Sequence, residues 1–126
     1  MRAANGLPLL RESARLRRAA VAHSADMVAH AYFAHNALSG ATLTDRLRRV
    51  GYVRNSVRWT IGENLAWGSG SLSTPGAVMR AWLGSAGHRA NLLRRSFREL
   101  GIGVAAGMPS NPASGATYTA DFGVRR

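Results

Sequence analysis

Between Leu100 and Ala105 the chain alternates, with Leu100, Ile102 and Val104 set against Gly101, Gly103 and Ala105. A period of two is the mark of a β-strand, and glycines on one side leave that side bare while the other is crowded. Thr117 to Val124 returns to the same period, with Tyr118, Ala120 and Phe122 on one side. The stretch from Gly107 to Gly115 between them is dense in Gly, Pro, Ser and Asn and is expected to be a loop. The C-terminal quarter therefore reads as an antiparallel hairpin, and Val57 to Ile61 is a candidate third strand.

Upstream the period changes. From Leu9 to about Ala31, the residues Leu16, Ala20, Met27 and Ala31 fall in one stripe at about 100° per residue. Val21, Ser24 and Val28 flank that stripe, and Arg11, Arg15 and Arg18 lie opposite. A second helix is expected from Leu43 or Thr44 to Val50, with Thr44 as N-cap and Gly51 as its stop. A third opens at Ser73-Thr74-Pro75, where Thr74 caps and Pro75 takes the first helical position. It carries Val78, Met79 and Trp82 and ends near Gly84 or Gly87; a brief helical turn follows at Ala90 to Arg94. Met1 to Gly6 reads as the frayed end of a helix, as in a domain excised from a longer chain. Helices first and a hairpin last predict an α+β fold, a small sheet covered by helices.

At 126 residues the chain fits one domain, able to bury roughly two-thirds of its unfolded surface without a disulfide or zinc knuckle. There is no Cys, which excludes a disulfide framework, a Cys-ligated zinc site and thiol catalysis. No apolar run reaches the length of a membrane span, and no signal peptide opens the chain. All 17 basic residues are Arg against 6 acids, a net charge of +11. That excess attracts polyanions, but Arg at every solubilising position with no Lys is also the composition of a GC-rich genome. Aromatics make up 7% and do not interleave with Arg, so a stacking platform for single strands is poorly supported.

Four histidines are the most informative titratable groups. His23 and His30 border the apolar stripe of the long helix and read as packed, hydrogen-bonded side chains. His35 follows Tyr32-Phe33-Ala34 just past the helix end, where a side chain can turn into a cleft. His88 lies in Ser85-Ala86-Gly87-His88-Arg89-Ala90-Asn91, at a break between helical segments. Glu63, in Ile61-Gly62-Glu63-Asn64-Leu65-Ala66, is an acid among apolar neighbours. Two imidazoles and a carboxylate from three segments can form a metal site with an open position, although no HExxH spacing supports it. Glu63 and His88 can equally serve backbone groups. No G-x-S-x-G elbow surrounds any Ser, and Gly68-Ser69-Gly70 lacks the Lys of a phosphate loop. Trp59, Trp67 and Trp82 read as core or cleft-wall residues.

These segments, in order, resemble a known family. Tyr32-Phe33-Ala34-His35, Gly40, Asp45-Arg46-Leu47, Gly51-Tyr52 and Gly62-Glu63-Asn64-Leu65-Ala66 look like the first half of a CAP domain. This is the superfamily of cysteine-rich secretory proteins, insect antigen 5 and plant pathogenesis-related proteins. The second half is similar at Ala81-Trp82-Leu83-Gly84-Ser85-Ala86-Gly87-His88-Arg89-Ala90-Asn91-Leu92-Leu93, Phe97, Gly101-Ile102-Gly103-Val104-Ala105 and Tyr118-Thr119-Ala120-Asp121-Phe122-Gly123. Gly6-Leu7-Pro8-Leu9 resembles the lead into the family's long helix. The absent cysteines match its bacterial, SCP-like branch.

The resemblance implies a three-layer α-β-α sandwich over residues 1–126, with helices on both sides of a small antiparallel sheet. It also implies a cleft lined by two His and two acids. His35 and His88 match the histidines and Glu63 the acid of the G-E-N segment, with Asn64 and Trp82 beside them. The second acid falls at Ser85 here, which cannot act as a carboxylate base. The histidine pair is expected to take a divalent metal, zinc foremost, with Glu63 holding a water or orienting a ligand. Three functions follow as alternatives. One is a secreted or wall-associated monomer that binds a small ligand, lipid or wall component. Another is a metal-dependent hydrolase of wall polymer, peptide or nucleic acid, with Glu63 as general base. The last is an adhesin attracting polyanions through Arg46, Arg48, Arg49, Arg94, Arg95 and Arg98. Different family members resemble sterol or lipid carriers, defence effectors or hydrolases, so a shared cleft does not imply one reaction.

Overall fold

Gly101 and Gly103 press directly on a helix backbone. A Cβ at Gly101 would lie 2.1 Å from the Arg17 amide nitrogen, and one at Gly103 would lie 2.2 Å from that of Val21. Only glycine lets a strand and a helix approach this closely. In the computed structural model, which describes residues 1–126, that helix is α1 (Ala14–Ala29) and that strand is β3 (Glu99–Met108).

The remaining α-helices and strands are β1 (Arg11–Glu12), α2 (Leu43–Arg49), β2 (Trp59–Gly68), α3 (Pro75–Leu83), α4 (Ala86–Leu92) and β4 (Asn111–Arg125), with short 3-10 helices at Ala3–Asn5 and Gly70–Leu72. The sheet order is β1-β3-β4-β2. β4 pairs antiparallel with β3 and β2, whereas two-residue β1 runs parallel to β3, so the sheet is mixed rather than wholly antiparallel. On one face of β4, Tyr118, Ala120 and Phe122 pack with Val78 and Trp82 of α3, Leu92 of α4 and Phe97. The opposite face meets α1 and α2 near a second cluster of Leu16, Ala19, Leu47, Tyr52 and Val53. The result is the α-β-α sandwich, with α1 and α2 on one side and α3 and α4 on the other.

Local capping decides where the helices differ from expectation. The long helix starts at Ala14, not Leu9, because Ser13 accepts the Leu16 N–H as N-cap while Arg11 and Glu12 join the sheet. It stops at Ala29, where Ala31 adopts a left-handed φ of 55°. Thr42 rather than Thr44 caps α2, in a reciprocal capping box with Asp45. Thr74 caps α3, and Pro75 is its first residue. The turn expected at Ala90 to Arg94 is the full helix α4, begun by extended Ser85. The expected loop from Gly107 to Gly115 shrinks to Pro109 and Ser110, because a bulge and the positive φ of both glycines keep the chain in the ladder. Met1 to Gly6 is not frayed. The Arg2 guanidinium is buried and donates to the carbonyls of Pro8, Leu92, Arg94 and Phe97 at 2.7–3.2 Å. That clamp closes the C-terminal end of α4, where carbonyls lack helical partners.

Candidate functional site

β2 is an edge strand, and side chains of α3 and α4 satisfy its outward carbonyls. Trp82 Nε1 donates to Leu65 O at 3.0 Å, and Asn91 Nδ2 donates to Glu63 O at 3.1 Å. Asn64 is fully buried; its Nδ2 donates to His88 O at 3.0 Å and its Oδ1 accepts from Asn91 Nδ2 at 2.9 Å. Neighbours on a strand point to opposite faces. Asn64 therefore reaches α4, and Glu63 points toward α1 and α2. Gly62 is required at this crossing, since a Cβ there would meet Asn91 Oδ1 at 2.9 Å and Phe97 Cζ at 3.0 Å.

The segment that delivers His35 is fixed from below. The Tyr32 hydroxyl donates to the Asp26 carboxylate, and its ring stands edge-on to His23 with centroids 6.0 Å apart. His23 Nε2 bonds the Ala34 carbonyl at 2.8 Å. Burial and the Asp26 bond push the Tyr32 hydroxyl upward, so it stays a donor. Burial, with Arg46 nearby, lowers His23 and keeps its ring neutral. His35 then places Nδ1 2.8 Å from Glu63 Oε1, while its carbonyl accepts from Arg46 Nη2 at 2.8 Å.

Arg46 meets the Glu63 carboxylate with two bonds, Nη1–Oε2 at 2.9 Å and Nη2–Oε1 at 2.8 Å. Burial alone would raise the Glu63 pKa, but His35 and Arg46 together hold it down to about 2. Asp121 is directly opposite Glu63 in the β2–β4 register and fully buried. Neither Asp121 oxygen has a hydrogen-bond partner of ordinary geometry, so Glu63 acts on it through its field. Burial and that field push the Asp121 carboxyl well above the usual range, and it keeps its proton beside ionised Glu63.

His88 enters from the first turn of α4, with Nδ1 3.0 Å from Ser85 Oγ and its ring 6.5 Å from the Trp82 ring. His35, Glu63, Asn64, Ser85, Gly87, His88 and Asn91 line a cleft of about 280 Å³ without one apolar side chain. Both imidazoles have Nδ1 engaged, so Nε2 is the uncommitted nitrogen on each. No three His, Cys, Asp or Glu side chains converge as a ligand set for a metal. A metal here would have two protein ligands, His35 and His88, with Glu63 behind the first.

Five of the expected cleft residues thus come together: His35, Glu63, Asn64, Ser85 and His88. Trp82 lies behind the wall instead, buried with its indole N–H on β2. Trp59 and Trp67 lie outside the core and outside this cleft; 37% and 50% exposed at the two ends of the edge strand, each lines a separate pocket. His30 stays outside, paired with Asp26 at 2.9 Å. Arg46 is not a surface cation as the polyanion reading requires, because Glu63 holds it in the interior. Sequence reasoning missed Asn91 and Asp121. Asn91 sits one helical turn from His88, a spacing that would have placed both on one face. Nothing in the local pattern singled out Asp121.

A model of the cysteine-rich secretory protein family, CAP, matches residues 1–112. The chain is 32% identical over 117 residues to the uncharacterized protein YkwD of Bacillus subtilis (strain 168), covering 93% of this chain and 40% of that protein. It is 36% identical over 104 residues to the uncharacterized membrane protein YlbC of the same organism, covering 82% of this chain and 28% of that protein. The chain therefore spans less than half the length of these relatives. Among solved structures, an extracellular SCP-domain protein of Bacillus anthracis str. Ames superposes with TM-score 0.77 at 34% identity, over 96% of this chain and 35% of that one. An outer surface protein of Borrelia burgdorferi superposes with TM-score 0.81 over 99% of this chain and 84% of that one, and at 21% identity it supports the fold alone.

Proposed function

The chain belongs to the cysteine-rich secretory protein (CAP) family, in its bacterial form, and on that premise we propose that it is a ligand-binding domain working outside the cell. Its cleft at the β2 edge takes a small polar ligand, and a divalent metal, zinc foremost, is held there by His35 and His88. One observation carries this reading: in one polar cleft, each imidazole is anchored through Nδ1, His35 by Glu63 and His88 by Ser85. Metal-bound histidines are commonly oriented in this way by a partner on the other ring nitrogen. When bound, the metal supplies a Lewis-acid centre for an anionic or carbonyl oxygen. With two protein ligands it would be exchangeable rather than structural.

The protein's own groups do the positioning. Glu63 aligns the His35 ring, Arg46 fixes Glu63, and Asn64 and Asn91 tie β2 to the helix that bears His88. The hydrolase reading is weaker. A carboxylate held down to about 2 with both oxygens engaged is a poor general base at neutral pH, and Ser85 replaces the second acid. An extracellular or wall-facing location accords with the extracellular and outer-surface neighbours. Residues 1–126 would then act as one monomeric domain of a longer protein. Zinc titration followed on the histidine ring protons tests the reading. His35 and His88 should shift together while His23 and His30 stay still, and a response confined to His30 would refute it.

A further inference from the structure

A second site lies at the other end of β2. Arg58 and Arg126 extend the β2–β4 ladder by one rung: Arg58 N donates to Arg126 O at 2.9 Å, and Arg126 N donates to Arg58 O at 2.8 Å. Residues exchanging both bonds face each other about 5.5 Å apart at Cα, with side chains on the same side of the sheet. Two like charges placed directly opposite repel and weaken a sheet. An Asp or Glu side chain would relieve this, but neither guanidinium pairs with one within 4.0 Å, and neither makes a side-chain hydrogen bond.

The next rung on the same face pairs Thr60 with Val124 and adds a hydroxyl with no protein partner. Arg58, Thr60, Val124 and Arg126, with Trp59, line a cavity of about 430 Å³. Arg98 arrives from the far side of β4, its N–H on Gly123 O at 3.0 Å, and exposed Arg94 and Arg95 precede it in the same loop. The acid of this region, Glu99, is on the opposite face by strand alternation, engaged by the Tyr52 hydroxyl at 2.8 Å and Arg125 at 4.0 Å. The cavity thus gathers fork-shaped cationic donors and a hydroxyl without an acceptor.

We propose that the Arg58–Arg126 rung, with Thr60 beneath it, is a binding site for a phosphate group, distinct from the His35–His88 cleft. A phosphate dianion cancels the repulsion of the opposed guanidinia, and each can engage it with two parallel N–H bonds, geometry that Arg favours. The phosphate belongs either to a free phosphate compound or to a lipid headgroup.

Calorimetry with pyrophosphate and sedimentation with phosphatidylglycerol vesicles separate the two sources. Wild type should bind in one arm, and the binding arm names the source. The Arg58→Gln/Arg126→Gln variant should lose at least tenfold in that arm with an unchanged or higher Tm, because a repulsive pair is gone. Thr60→Val should lose a few-fold. Arg48→Gln/Arg49→Gln, which removes equal charge on α2, should stay within twofold. Equal losses in Arg48→Gln/Arg49→Gln and Arg58→Gln/Arg126→Gln would show diffuse charge attraction and overturn the site, as would absence of binding in both arms.

Discussion

Arg46 and Glu63 form a two-pronged ion pair in which the carboxylate side chain is 1% exposed and the guanidinium 9%. The same Arg46 Nη2 also holds the His35 carbonyl. One cation therefore fixes both the acid that aligns His35 and the backbone that delivers it. Removing Arg46 leaves a buried charge uncompensated, which typically costs about 3–5 kcal/mol. Arg46→Met should lower stability by that order in denaturant unfolding and weaken zinc binding in the remaining folded protein. A loss below 1 kcal/mol would show that the pair holds nothing in place.

The two buried carboxyls carry opposite pH signs. Glu63 is depressed from 4.5 to about 2, so its contribution is complete above the unfolded value and disappears as pH falls from about 4.5 towards 2. Asp121 is raised, so its contribution is complete below its unfolded value and declines as pH rises towards its folded one. Thermal melts from pH 4 to 8 should therefore show wild type losing stability relative to Asp121→Asn as pH rises. A difference that stays constant over that range would mean that Asp121 is ionised in the folded protein.

The contact between β3 and α1 tolerates no side chain. Gly103→Ala would bring a methyl within 2.2–2.5 Å of Ala20 and Val21 backbone atoms. Forcing α1 off the sheet should cost at least the 1–3 kcal/mol typical of an overpacked core. Chemical denaturation would measure it, and a neutral result would mean that the helix rides further from the strand.

Asn64 links β2 to α4 through both of its polar ends. Asn64→Ala strands the His88 carbonyl and one Asn91 donor, at about 1–3 kcal/mol for groups left buried. The same change frees the helix turn that carries His88, so ligand or metal affinity at the cleft should fall together with Tm. Falling Tm with intact affinity would leave Asn64 a purely structural role.

Elements with strong local signals were legible in the sequence. The Leu100–Ala105 alternation gave β3, and Thr74-Pro75 fixed the start of α3. The ordered motifs single out His35, Glu63 and His88, which the fold brings to one cleft. Features set by distant partners were not legible. β1 exists because Arg11 and Glu12 find β3 nearly 90 positions later, and β4 runs through turn-forming residues because its partner strand and a bulge accommodate them. Arg46 looked like one cation among 17, and only the sheet shows that it is buried against Glu63. Asp121 became informative only through the register that sets it opposite that same acid.

The central claim is that His35 and His88 together form the binding centre of the cleft. Zinc calorimetry on wild type, His30→Ala and His35→Ala/His88→Ala tests it most directly. Wild type and His30→Ala should bind one equivalent alike, and the double variant should bind at least tenfold more weakly. If the double variant binds as wild type does, the cleft is not the metal centre and the account fails.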